Sequence, residues 1–210
     1  VTGVQTCALP ILLVAIGSGA KAEVEQQVQG LGSNLILVVP GSVNVGDGPT
    51  VSKLELADVE LLGRAVGDPS AVATTVQSSE VVRVADKESF TTINGKNETV
   101  VNVFNRPMAR GRYISASDVD TRRRVAVMGD TAARKLFGDV DPIGRQLTIA
   151  GVRFRVIGIF QNVGSTFGVD RDAEIHVPVT AAQRLFGVQR IDALAVKAAT
   201  IESIPDLQRR

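Results

Sequence analysis

Residues 125–160, VAVMGDTAARKLFGDVDPIGRQLTIAGVRFRVIGIF, constrain the fold of this chain more than any other stretch. Val125–Met128 predicts a short apolar strand, Asp130 a cap, and Ala133, Leu136 and Phe137 the buried side of a short helix that Gly138 stops. Asp141-Pro142-Ile143-Gly144 predicts a turn, because proline presets φ and glycine can leave the turn freely. Two strands follow, Gln146–Ile149 and Val152–Phe160, and the Ala150-Gly151 pair between them is hairpin spacing. Strand, helix, turn and hairpin follow with almost no slack, and no residue among them is an obvious catalyst.

The chain also echoes itself. Residues 131–138 read TAARKLFG and residues 180–187 read TAAQRLFG, each after a short apolar run. The match is too short for a solenoid repeat. It predicts one strand-to-helix closing device used twice, with both Leu-Phe pairs in a common core. If buried, Phe137→Ala and Phe186→Ala should each cost roughly 3–5 kcal/mol.

Around these units the patterning predicts an α+β fold. Residues 34–39 form an apolar strand ended by Pro40-Gly41, and residues 42–49 a Gly-, Asn- and Asp-containing loop. Ser52 with Glu55 reads as a capping box for a helix striped by Leu54, Ala57, Leu61, Leu62 and Ala65, ending before Gly67-Asp68-Pro69. Strand residues follow at Val72, Thr74, Val76, Val82 and Val84. Asn94-Gly95 gives a hairpin signal between residues 90–93 and 99–104. Ser115 caps a short turn through Asp118, and Arg122-Arg123-Arg124 reads as a solvated loop. A polar loop spans residues 161–172, a strand 174–179, and Thr180 with Gln183 reads as a second capping box. Residues 191–196 form a last strand and Thr200 starts a helix, which together complete the sheet begun by residues 34–76 and make the middle of the chain an insertion.

With 210 residues there is enough chain for a real core. The net charge of +1, no Trp and one Tyr give no pull toward nucleic acid and no base-stacking surface. A single Cys excludes an internal disulfide. Residues 1–11, VTGVQTCALPI, resemble a translated sequencing adapter and are set aside as a scar. A signal peptide or the start of a membrane helix is the alternative. Residues 11–16 are too few to cross a bilayer, which takes about 20 apolar residues. The amphipathic segment to Leu31 reads equally as a stalk leaving a membrane helix or as a soluble helix. Gly17-Ser18-Gly19-Ala20-Lys21 fails as a phosphate loop, since Ala22 stands where a hydroxyl is needed. Both ends suggest a piece of a longer chain.

Little chemistry emerges. His176 is the only histidine and reads as a structural residue without a nucleophile to serve. Residues 170–174, DRDAE, lack the spacing of a calcium loop. Ser79 and Ser165 have no nucleophile-elbow context. No catalytic, metal or cofactor residue is expected. Phe167, Asp170 and Asp172 are candidate partner contacts on the polar loop.

Taken together, residues 125–158 and 175–187, with Val14-Ala15-Ile16-Gly17-Ser18-Gly19-Ala20 and Leu31-Gly32-Ser33-Asn34-Leu35, resemble the MacB-like periplasmic core domain of ABC-transporter permeases, within the broader FtsX-like family. The resemblance covers nearly all of residues 12–210. It implies a domain on the periplasmic or extracellular side of the cell membrane, in an exporter of drugs, peptides or lipoproteins. The alternative is a signalling permease that activates a partner cell-wall hydrolase. A secreted α+β enzyme is the third and weakest reading. The implied partners are a second permease chain, a cytoplasmic ABC ATPase, the membrane through further helices and, in two-membrane bacteria, a periplasmic adaptor. The implied layout has residues 12–33 as membrane-helix end and stalk. Residues 34–102 and 188–210 make a sheet-and-helix subdomain, with residues 103–187 as a smaller inserted subdomain.

Overall fold

The computed structural model describes residues 34–40, 52–166, 169–200 and 204. The expectations for residues 1–33 and 42–49, for Phe167, and for the helix onward from Thr200 (Ile204 excepted) lie outside the described residues. In chain order the elements are β1 (Leu35–Val38), α1 (Leu56–Val66), a 3-10 turn (Pro69–Ala71), β2 (Val72–Val84), β3 (Lys87–Lys96), α2 (Val100–Val103), β4 (Met108–Gly111) and α3 (Ala116–Asp120). There follow β5 (Val125–Met128), α4 (Asp130–Phe137), β6 (Gln146–Ile149), β7 (Val152–Phe160), β8 (Ser165–Thr166), β9 (Val169–Asp170), β10 (Ile175–Pro178), α5 (Val179–Phe186) and β11 (Ala193–Lys197).

One mixed sheet runs β1-β11-β2-β3-β10-β5-β7-β4, with β6 bridging β2 and β7. The β3–β10 and β5–β7 pairs are parallel, the others antiparallel. As the sequence suggested, the last strand returns to the first: β11 lies between β1 and β2. Along β5, Ala126 and Met128 enter the apolar cluster that holds α4 and α5, while Val127 enters the one that holds α1 and Phe160. The sheet centre is therefore buried on both faces, which suits continuous apolar runs such as Val125–Met128.

The organising stretch folds as expected, with one change. Ile143 N–H donates to Asp141 Oδ1 at 3.1 Å, Arg145 N–H to Pro142 O at 3.0 Å, and Gly144 N–H to Val156 O at 2.8 Å. Ala150 and Gly151 both have positive φ, the backbone a two-residue hairpin needs. The change is at the start of α4. Gly129 is the cap and Asp130 the first helical residue, its carboxylate paired with Arg134 one turn on.

Four other expectations are corrected. Asn94-Gly95 is no turn; it lies within β3, and the hairpin turns at Ala85-Asp86, where Ala85 takes φ 50°. Gly95 is there because α5 approaches closely: a Cβ on it would lie 2.4 Å from Ala182 Cβ. Residues 99–104 are not a strand, since Asn97 and Thr99 bond Val72 O and tie the chain back to the start of β2, leaving one helical turn. The α1 capping box is Glu55 with Asp58, not Ser52 with Glu55; the Ser52 hydroxyl donates to Ile191 O instead. Of the expected stripe Leu54 and Leu62 do pack against the core, joined by Leu56 and Val59, all half-buried, while Leu61 is exposed. Finally, Thr180 and Gln183 do not box the start of α5. Thr180 Oγ1 donates to Val119 O, and Gln183 Nε2 donates to Gln189 O at 2.6 Å.

Candidate functional site

The polar loop before β10 is held from inside by Asp172. This residue is buried; its Oδ2 accepts N–H bonds from Val163 at 3.0 Å and Gly164 at 2.7 Å, and its Oδ1 pairs with Arg106 Nη2 at 3.0 Å. Its carbonyl accepts the Ala132 N–H at 3.0 Å, which ties the loop to the first turn of α4. The Asp172 carboxylate therefore faces the interior, where it shapes the loop and is not itself presented to a partner. Asp170 is exposed and accepts the Asp172 N–H at 2.8 Å.

Under this loop the sheet carries a polar cluster that sequence reasoning did not assemble. On β3, Asn94 and Lys96 share one face; on β10, His176 pairs in parallel register with Asn94, and Glu174 stands two residues before it. Asn94 Nδ2 donates to Glu174 Oε2 at 2.8 Å, and Lys96 Nζ donates to Thr75 Oγ1 at 2.6 Å. Arg106, just ahead of β4, donates from Nη2 to Arg171 O at 2.7 Å and lies over the Phe160 ring, 4.8 Å from its centroid. These groups line a cavity of about 480 Å³ with Arg171, Phe90 and Phe104 on its wall.

His176 is buried, as a structural histidine should be. Burial lowers its pKa below 6.5, so the ring is neutral at pH 7. Nε2 lies 3.2 Å from Glu174 Oε2 and Nδ1 3.0 Å from the Tyr113 hydroxyl. The Tyr113 hydroxyl donating to Nδ1 leaves the proton on Nε2, which makes no hydrogen bond of good geometry among the described residues. Burial likewise raises the Tyr113 pKa well above 10.0, so the phenol stays protonated to donate. Burial alone would raise Glu174, but His176, Lys96 and Arg106 outweigh it and bring the carboxyl to about 2. Burial brings Lys96 down from 10.5 to about 8, with the Glu174 charge opposing.

A second knot sits at α3. The buried Asp118 carboxylate takes Arg112 Nη1 at 2.6 Å, Arg123 Nη1 at 3.4 Å and the Ser115 N–H and hydroxyl. Burial would raise its pKa, and the Arg112 and Ser115 bonds hold it well below the usual range instead. Here the sequence was right about the Ser115–Asp118 cap, and the arginine run is exposed, with Arg123 reaching back to it.

The signal for the polar cluster was present in alternation. In β3 and β10 polar Asn94, Lys96, Glu174 and His176 alternate with Ile93, Gly95, Ile175 and Val177. Each segment alone looked like an ordinary half-buried strand, and only the β3–β10 pairing brings the four together. Among the described residues no group of three or more His, Cys, Asp and Glu is placed to hold a metal ion.

Residues 7–210 match the family described as the MacB-like periplasmic core domain. The chain belongs to that family. The macrolide export ATP-binding/permease protein MacB of Rhodospirillum rubrum is 32% identical over 201 residues, covering 94% of this chain and 31% of that protein. The pyoverdine export ATP-binding/permease protein PvdT of Pseudomonas aeruginosa is 32% identical, covering 95% of this chain and 30% of its own length. This core domain thus spans about a third of the length of the curated relatives it matches. The fold agrees with the periplasmic region of MacB from Actinobacillus actinomycetemcomitans, at a TM-score of 0.72 and 21% identity over 87% of this chain and 84% of that one. It agrees also with the extracellular domain of the noncanonic ABC-type transporter YknZ from Gram-positive bacteria, at 0.69 and 22% over 83% and 88%. Being a MacB-like core domain, it stands on the periplasmic side of the inner membrane. No helix among the described residues is long and apolar enough to cross a membrane.

Proposed function

We propose that this core domain is the extracytoplasmic part of an ABC exporter permease. It couples ATP hydrolysis on the cytoplasmic side to export of a drug, peptide or lipoprotein-type substrate. The observation that carries this reading is the family match over residues 7–210, joined to relatives that are named as export ATP-binding/permease proteins. The domain pairs with a second permease chain, receives motion from an ABC ATPase through membrane helices, and meets a periplasmic adaptor in two-membrane bacteria. Within it, residues 34–102 and 188–210 act as one subdomain and residues 103–187 as the insertion; β11 between β1 and β2 supports joining the two ends. Phe167 and Asp170 are the partner contacts, and Asp172 braces the neighbouring Val163 and Gly164.

The test is to express the full-length permease, with its ATPase, in a strain stripped of its own exporters. Resistance to at least one macrolide or secreted-peptide panel member should rise, and deleting this domain should abolish the gain while ATP hydrolysis continues. Unchanged susceptibility across the panel, with the complex assembled in the membrane, would sink the export reading.

A further inference from the structure

The cavity over β3 and β10 has more hydrogen-bond donors than the described residues satisfy. Three cations, Lys96, Arg106 and Arg171, converge on it. Three carboxylates stand near them: Asp172 is taken by Val163, Gly164 and Arg106, Asp170 accepts the Asp172 N–H, and Glu174 accepts from Asn94 and lies 4.0 Å from Arg106 Nη2. Arg106 is only 2% exposed, yet its Nε and Nη1 have no hydrogen-bond partner among the described residues. Buried guanidinium N–H groups left open carry their full desolvation penalty, so the position is stable only if something else rewards it. Lys96 Nζ has three donors and its hydrogen bond goes to Thr75 Oγ1. Beside these donors stand two apolar walls, Phe104, with its ring 5.6 Å from Lys96 Nζ, and Phe90, which is 70% exposed. The volume falls in the range of small-molecule sites, roughly 300–1,000 Å³.

We infer that this cavity binds a small organic carboxylate with an apolar body. The carboxylate supplies acceptors for the open Nε and Nη1 of Arg106 and a counter-charge for Arg171 and Lys96, and the body lies against Phe104 and Phe90. An arginine already stacked on Phe160 presents its fork in a fixed plane, the geometry a planar carboxylate matches. Burial first, and then Arg106 beside Arg171 and Arg171 beside Lys96, disfavour the positive charges on Arg171 and Lys96 while Glu174 opposes, and an entering anion favours both charges. The site stands independently of what the permease exports.

The test is calorimetric titration of the purified chain with 3-phenylpropionate, 3-phenylpropionamide and inorganic phosphate, while following the His176 imidazole by NMR. Arg106 also holds the Asp172 loop, so the charge-removing variants are Arg171→Gln and Lys96→Gln, each checked for an intact thermal melt. The acid should saturate one site and shift the His176 signals, the amide should bind about tenfold more weakly or not at all, and each variant should lose about tenfold, the loss of one charge-assisted hydrogen bond. Four results would overturn the proposal: no saturable binding of the acid, equal binding of acid and amide, phosphate binding as tightly as the acid, or full affinity retained in both folded variants.

Discussion

The octets at residues 131–138 and 180–187 are nearly the same text, yet the units they close differ in kind. In the first, β5 is apolar throughout and α4 buries Ala132, Ala133, Leu136 and Phe137. In the second, β10 carries the buried His176, and α5 buries Val179, Ala181 and Ala182 while Leu185 and Phe186 are only half-buried. The shared part is the alanine pair, which lets each helix come close to its support. The rest depends on neighbours. Leu136 and Phe137 at the end of α4 belong to the cluster that also holds Phe154 and Val156 of β7, whereas Phe186 lies between two clusters, packed against both. Sequence identity therefore specifies where the helix starts and stops, and the surroundings decide how much of it is enclosed.

The sharpest way to test this is at the matched phenylalanines. Phe137→Ala should destabilise the domain by about 3–5 kcal/mol, and Phe186→Ala by less than half as much, because the lost contact and the cavity left both scale with burial. Equal shifts in denaturant midpoint would erase the contrast and restore the sequence expectation that both rings are full core residues.

The second contrast is between a dry strand and a polar one. Lys96, beside β10, falls from 10.5 to about 8 through burial. Between those values the unfolded chain holds a proton that the folded chain has released, so stability rises with pH across that window. Below it, the buried charge costs about 3 kcal/mol. Lys96→Met should therefore be more stable than the parent at pH 7, and the gap should close between about pH 8 and 10.5. A gap that does not move with pH would show that Lys96 is not held against burial. At the acid end the signs are also set. His176 is depressed below 6.5, so stability falls as pH drops through that value; Glu174 is depressed from 4.5 to about 2, so its share is lost over that interval. The β5–α4 unit has no buried group of this sort.

Third is the approach of each helix. A Cβ at Gly95 would meet the Ala182 side chain at 2.4 Å, while one at Gly129, the cap of α4, would lie 2.2 Å from Asp172 O. Gly95→Ala should cost about 1–3 kcal/mol as overpacking. Adding Ala182→Gly should recover part of it, despite the roughly 1 kcal/mol a helical glycine costs. Gly129→Ala meets backbone, and trimming a side chain offers no relief. If the Gly95→Ala, Ala182→Gly pair is merely additive in a double-mutant cycle, the close contact is not what selects glycine.

These examples also show what was legible in the sequence. Residues 125–160 were read almost element by element, because each join there is local: a proline turn, a two-residue hairpin, a glycine stop. The misreadings have one cause. Asn94-Gly95 looks like a turn, but its glycine answers to Ala182, eighty-seven residues away from Gly95. Ser52 and Thr180 look like caps, but their hydroxyls go to Ile191 and Val119, again distant in sequence. The polar cluster was missed for the same reason, since Lys96, Arg106 and Glu174 meet only through strand pairing and the loop that Asp172 folds.

The smallest expected effect lies where the octets differ in letter. Arg134 of α4 corresponds to Gln183 of α5. Arg134 pairs with Asp130 at 2.5 Å on the surface, whereas Gln183 reaches forward to Gln189 O beyond the helix end. An exposed pair one turn apart contributes about 0.3–0.5 kcal/mol and is screened by salt. Asp130 also faces the positive end of the α4 dipole and accepts from Asn162 Nδ2 at 3.1 Å, so its charge helps the helix start by more than the pair alone. Asp130→Asn should thus destabilise by about 0.5–1 kcal/mol at low salt and by less in 1 M NaCl, read from paired denaturant curves. Gln183→Ala should show no salt dependence, because a neutral amide on a carbonyl is not screened. A salt-sensitive Gln183→Ala, or a salt-insensitive Asp130→Asn, would mean that the two helices are held at their ends by the same force after all.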